Sequence, residues 1–178
     1  DAGFATDFIT GVLKPNLCEI AEKKVKILTN AGGVNPAACG AAARALIAEA
    51  GLDLKVAVIS GDDLLEARDN FADKKDMFSG AGCPPPETLA SVNAYLGGFP
   101  VAAALDAGAD IVITGRSVDS AVTLGACIHA FGWQAADLDK LAAGSLAGHI
   151  IECGPQASGG NFTDWQLSGD IADIGYPF

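Results

Sequence analysis

Basic residues are scarce. Eleven lysines and arginines stand against 22 aspartates and glutamates, a formal charge of -11. Nucleic acid and anionic membrane surfaces both require a positive footprint, so a chain this acidic, with its few cations scattered, is expected to bind neither. Long apolar runs are lacking too: none approaches the roughly 20 residues of a membrane span, and no secretory signal is visible. The five cysteines (Cys18, Cys39, Cys83, Cys127, Cys153) are odd in number and far apart, with no CxxC and no close Cys/His pair apparent. Reduced thiols are expected, in a cytoplasm or, for a eukaryotic source, a mitochondrial matrix, and no metal is expected. There is no GxGxxG fingerprint and no P-loop with its lysine, so no cofactor is implied.

What the chain does have is small and apolar. Half of the 178 residues are hydrophobic, 22 are glycine, and only 7% are aromatic. Small side chains let helices lie close on a sheet, which suits a layered α/β protein. The length fits one domain over residues 1–178, with room for a sizeable core. The mean hydropathy is +0.32, high for a free-standing domain. The chain is therefore expected to be a fragment of a longer one and to associate, as a homo-oligomer, through uncovered apolar surface.

The organising stretch is residues 106–133. Ile111-Val112-Ile113 is apolar, β-branched and bounded by Asp110 and Gly115, the pattern of a strand buried on both faces. Thr114-Gly115-Arg116-Ser117 turns out of it, and a helix is expected from Val118 to the stop at Gly132, with Arg116 and Asp119 on its opening turn. Upstream, residues 4–24 look helical with Pro15 forcing a break or a new start. Strands are expected over 25–29 and 55–60, a helix over 36–50 capped by Asn35, and a short helix after Asp62-Asp63. Residues 69–90 form a long polar loop with Pro84-Pro85-Pro86, of the size used for lids or interaction segments. A further strand over 91–95 and helices over 100–107 and 136–148 complete the pattern, before a glycine-rich tail opening at His149. Alternating strands and helices imply right-handed crossovers and a three-layer α/β fold, a mainly parallel sheet with helices on both faces.

Each strand ends in polar residues and glycine, and in an open α/β sheet that edge is where ligands bind. Asn30, Gly32 and Gly33 join the first strand to its helix; their backbone amides could hold an anion, or simply form a tight turn. Asp62 and Asp63 suit either a helix cap or a carboxylate on a ribose hydroxyl. Arg116 can grip a substrate carboxylate through two bonds, or pair with Asp119 within one helical turn. His149 and Glu152, with Asp119, are candidates for moving protons, and equally read as surface polar residues. His129 among apolar neighbours is expected to be structural, and Cys153, with nothing visible to lower its pKa, a buried thiol. Asn93, Gln156 and Asn161 could donate hydrogen bonds to a carbonyl or carboxylate, or form turns.

Four segments, TNAGGVNPAACGAAARAL, VAVISGDDLL, NAYLGGFPVAAALDAGADIVITGRSVDSAVTLG and GHIIECGPQASGGNFTDW, resemble the acyclic terpene utilisation A (AtuA-type) family. The resemblance covers nearly all of residues 25–165. It implies a portion of a larger protein encoded with pathways that degrade branched acyclic terpenes such as citronellol and geraniol. There the acids are processed as coenzyme A thioesters beside biotin-dependent carboxylases. Combined with the residues, it leads to an enzyme acting on a branched acid or its thioester by lyase, hydratase or hydrolase chemistry. Arg116, Asn30, Gly32, Gly33, Asn93 and Asn161 would bind substrate, and His149, Glu152 and Asp119 would be catalytic. Two alternatives stand beside this: a non-catalytic subunit or scaffold for such a carboxylase, and a nucleotide-binding α/β domain.

Overall fold

In a computed structural model describing residues 2–158, 164 and 167, the three β-branched stretches form three parallel strands. These are β1 (Ile27–Thr29), β2 (Val56–Ile59) and β3 (Ile111–Thr114), in the order β1-β3-β2. The register sets Ile111 against both Ile27 and Val56. Because β3 is central, Ile111, Val112 and Ile113 are completely buried, as an unbroken apolar run should be. Full burial of each such side chain stabilises by about 1.5–3 kcal/mol.

The period of two divides β3 between two cores. Ile111 and Ile113 pack with Leu13, Leu17, Ile20, Cys39, Ala43 and Ile47. These come from α1 (Lys14–Lys23), α2 (Pro36–Glu49) and the turn preceding α1. Val112 faces the other way, onto Val101, Leu105 and Ala109. That layer is α3 (Gly98–Asp106), with α4 (Ala121–Phe131) packed on it and α5 (Leu138–Cys153) packed on α4. The fold is thus a mixed α/β, three-layer arrangement with helices on both faces of a parallel sheet. Among the described residues no helix is long and apolar enough to cross a membrane.

Of the two outcomes expected at Pro15, a break or a new start, the structure shows the new start. The chain winds through a π-helical stretch, Phe8–Leu13, in which Lys14 N–H reaches Ile9 O, then continues as α1 with Pro15 in its first turn, where no N–H is needed. Several elements depart from the sequence reading, each for a local reason. The strand expected over 91–95 is not in the sheet. It makes only isolated bridges, Asp63 with Asn93 and Leu96 with Ser117, because its backbone partners are loops beyond the strand ends. α4 begins at Ala121, not Val118: the Val118 amide is spent on Leu96 O, which holds the chain extended. α5 runs through Gly148 to Cys153. Gly148 is a packing residue, where a Cβ would come within 2.9 Å of Ser120 O, so the glycine marks the α4–α5 contact and not a helix end.

At the amino edge of the sheet, Asp110 ties the strands together. Its Oδ1 accepts from Lys26 Nζ (2.8 Å) and its Oδ2 from the Lys55 backbone N–H (2.9 Å). Burial pushes this carboxyl up, but the Lys26 ammonium and the Lys55 amide together outweigh it and hold it below the usual carboxylate range. A carboxyl depressed in the folded state stabilises fully above its unfolded value of about 3.9, and loses that contribution as pH falls through the folded value. Asp110→Asn should therefore lower the denaturant midpoint at neutral pH and flatten its decline below about pH 4. An unchanged acid limb would remove Asp110 from the account.

Candidate functional site

The parallel order puts the loops after all three strands at one edge, and there Asn30, Gly33, Asn93 and Arg116, of the residues expected in the site, line one cleft. An open cleft of about 700 Å³ is lined by Asn30 and Gly33 after β1, by Arg116 after β3, and by Ser91, Asn93 and Tyr95 from the strap between them. The amino-terminal residues Gly3, Phe4 and Ala5 form a further wall. They are fixed across the first loop, with Val34 N–H donating to Gly3 O and Ala5 N–H to Ala31 O (both 2.9 Å).

Residues 92–96 are strapped across the strand ends. Leu64 N–H donates to Val92 O and Ala94 N–H to Asp62 O; Leu96 N–H then donates to Arg116 O and Val118 N–H to Leu96 O. The strap joins the loop after β2 to the loop after β3, and Asp62 is its anchor. Only 3% exposed, Asp62 accepts through Oδ2 from the Arg116 backbone N–H (2.9 Å) and from Asn93 Nδ2 (3.1 Å). Gly115 makes room for it: a Cβ there would sit 2.2 Å from Asp62 Oδ1. Neither sequence reading of Asp62 anticipated this. The local cap is Asp63, whose Oδ1 accepts from Leu65 N–H (2.9 Å). Asp62 is turned inward, away from the place where a ribose hydroxyl would need it.

Arg116 is not on a helical turn and makes no ion pair with Asp119. Its exposed guanidinium lies over the Tyr95 ring, 5.0 Å from the centroid, and Nη2 donates to Tyr95 Oη (2.6 Å). Among the described residues it has no carboxylate within 4.0 Å. A planar cation stacked on an aromatic face, at the mouth of a cleft and without an acid partner, can receive a carboxylate or phosphate. Tyr95 was missed from sequence; an aromatic residue beside Gly97-Gly98 was the available signal.

The expected anion cradle is less open than its glycines suggested. Gly33 N–H donates to Asn30 O (3.1 Å), Ala31 N–H to Thr29 Oγ1 (3.0 Å) and Asn35 N–H to Gly32 O (2.9 Å), so the turn spends these amides on itself. Gly32 is buried and does not line the cleft, and Asn35 Oδ1 caps α2 by accepting from Ala38 N–H. Asn30 and Gly33 remain on the wall.

His149 and Glu152 are not in the cleft. Nor do they open a tail: they stand in the last turns of α5 beside Cys153, all three on one face. Cys153 is half-exposed, not buried, and its thiol donates to Glu152 Oε1 (3.1 Å). That hydrogen bond, with the charges of Glu152 and Asp119, pushes the thiol above its ordinary value, so Cys153 is no activated nucleophile. Asp119 thus sits near this group. The two groups are joined through the chain, since the three residues from Arg116 to Asp119 span at most about 11 Å. His129 Nδ1 lies 2.6 Å from Asp106 Oδ1 on the α3–α4 surface, the structural role expected of it. Asn161 lies outside the described residues.

The family model described as acyclic terpene utilisation family protein AtuA matches residues 1–178, the length of the chain. No curated protein and no solved structure matches it.

Proposed function

The chain belongs to the acyclic terpene utilisation family AtuA, and from that premise we propose that it is an enzyme of branched acyclic terpenoid acid breakdown, acting on the acid or its coenzyme A thioester. The observation that carries the reading is Arg116, stacked on Tyr95 at the cleft mouth and without an acid partner among the described residues. Arg116 receives the carboxylate or a thioester phosphate. Asn93, whose Nδ2 is held by Asp62, offers Oδ1 to a substrate hydroxyl, and Asn30 and Gly33 border the same space. Asn161 is a further substrate ligand in this reading. Asp119, His149 and Glu152 supply proton transfer from the neighbouring helix end, for lyase, hydratase or hydrolase chemistry. The site of action is cytoplasmic, or matrix in a eukaryote.

Calorimetric titration with a branched acyclic terpenoid acid, its coenzyme A thioester and a straight-chain acid of equal length tests this. Preferential binding of a branched ligand, with turnover seen by mass spectrometry, is the expected result; equal or absent binding of all three overturns it. The second reading, a non-catalytic subunit docking on a biotin-dependent carboxylase, is favoured by Met77 and Phe78, which stand 85% and 89% exposed on the long loop. Copurification with a carboxylase without turnover would select it.

A further inference from the structure

We propose that His149, Glu152 and Cys153, at the end of α5, form a binding site for a zinc-type divalent cation. The expectation that the chain has no close Cys/His pair is corrected here: His149 and Cys153 are four apart and Glu152 three from His149, so one helical face presents all three. The pair was obscured by ending the helix at Gly148.

The donor atoms are already close to where a metal would hold them. With His149 Nδ1 as the donor nitrogen, Cys153 Sγ lies 4.0 Å from it and 3.1 Å from Glu152 Oε1, and Nδ1 lies 4.0 Å from Glu152 Oε1. One donor atom from each of the three residues lies within 4.8 Å of the others. Tetrahedral zinc, with bonds of about 2.3 Å to sulfur and 2.0–2.1 Å to nitrogen or oxygen, sets its donors about 3.4–3.6 Å apart. Rotamer adjustments that change each separation by roughly half an ångström therefore bring the observed triad to three corners of a tetrahedron.

The donor chemistry selects the cation. A thiolate with an imidazole and one carboxylate is a set for zinc or cobalt; magnesium and calcium prefer oxygen alone. The electrostatics favour a cation as well. The triad stands at the carbonyl end of a 16-residue helix, where the dipole is negative, and the last turn carries no basic residue to satisfy it. Asp119 adds a further negative charge nearby. The scaffold is firm, because Gly148 presses α5 onto Ser120 at the start of α4. His149 and Glu152 side chains are 59% and 39% exposed, which leaves a route for the ion and a fourth position for water. In the cation-loaded protein His149 and Glu152 would be ligands, leaving Asp119 as the residue for proton transfer there.

Cobalt(II) reports the site directly. Titrated under reducing, anaerobic conditions into the full chain, it should give a thiolate-to-cobalt charge-transfer band and tetrahedral visible bands saturating at one equivalent, displaced by zinc. Cys153→Ser should abolish the charge-transfer band, while Cys18→Ser, at an exposed thiol elsewhere, should leave it intact. His149→Ala and Glu152→Gln should each weaken binding by at least about 10–100-fold, the cost of losing even an outer partner of a ligand. All three side chains are partly or wholly exposed, so unchanged circular dichroism is expected of each variant. No charge-transfer band in the parent chain, or a band that survives Cys153→Ser, overturns the proposal. The spectrum requires no turnover, so failure of this site and failure of the reaction assigned above are separately visible.

Discussion

Arg116→Lys should lower affinity for a branched carboxylate, or kcat/KM once the reaction is in hand, by roughly 10- to 100-fold, the equivalent of about 1.5–3 kcal/mol for a charge-assisted bond. Lysine keeps the charge but offers a point donor in place of a planar fork, and it cannot stack on Tyr95 in the same way. The competing account is that Arg116 simply rests on the Tyr95 ring. A cation over an exposed ring contributes about 0.5–1 kcal/mol, so the same substitution would then cost under about 1 kcal/mol of stability and leave binding alone. Tyr95→Phe separates the two. It keeps the ring beneath the guanidinium and removes only the acceptor at 2.6 Å, so it should weaken binding less than Arg116→Lys does. A double-mutant cycle between these positions then measures how far the stack orients the arginine. Affinity unchanged in Arg116→Lys would return Arg116 to a structural role and leave the cleft without its anchor.

The parts of this architecture readable from sequence are those decided by local pattern. Ile111-Val112-Ile113 declared a strand buried on both faces because only the central position of a parallel sheet accepts an unbroken β-branched run, and there it lies. Asn35-Pro36 declared the start of α2 through capping chemistry, and the Asn35 side chain does accept from Ala38 N–H. What stayed hidden depends on partners far apart in sequence. Residues 91–95 carry strand-like composition, yet their backbone hydrogen bonds are with Asp62 and Leu64 in the loop after β2, which no periodicity records. Arg116 and Tyr95 are 21 residues apart, so their contact exists only once the strap has been laid across the strand ends. Glycine misled in one direction. Gly148 reads as a helix stop by composition, but its lack of a Cβ serves the contact with Ser120, and the helix continues past it to Cys153.

The largest effect on the cleft is expected from a residue that does not line it. Asp62→Ala should cost about 2–4 kcal/mol of stability, because the Arg116 backbone N–H loses a charged acceptor worth about 1.5–3 kcal/mol, and half-buried Asn93 loses a weaker one that water replaces in part. It should also weaken ligand binding, since the same two bonds fix where Arg116 leaves β3 and which way Asn93 faces. Asp62→Asn retains one acceptor oxygen without the charge, so it should fall between the parent and the alanine variant. Gly115→Ala approaches the same contact from the opposite side: its methyl would meet Asp62 Oδ1 at 2.2 Å, so the carboxylate must swing off both donors. If displacement of that one carboxylate is the common cause, the two substitutions should be strongly non-additive, with the double variant hardly worse in stability or affinity than Asp62→Ala alone. Chemical denaturation and ligand titration of the two single variants and the double decide it. Additive losses, or an Asp62→Ala protein that binds ligand as the parent does, would show that the strap is held by its backbone bonds alone and that Asp62 is dispensable to the site.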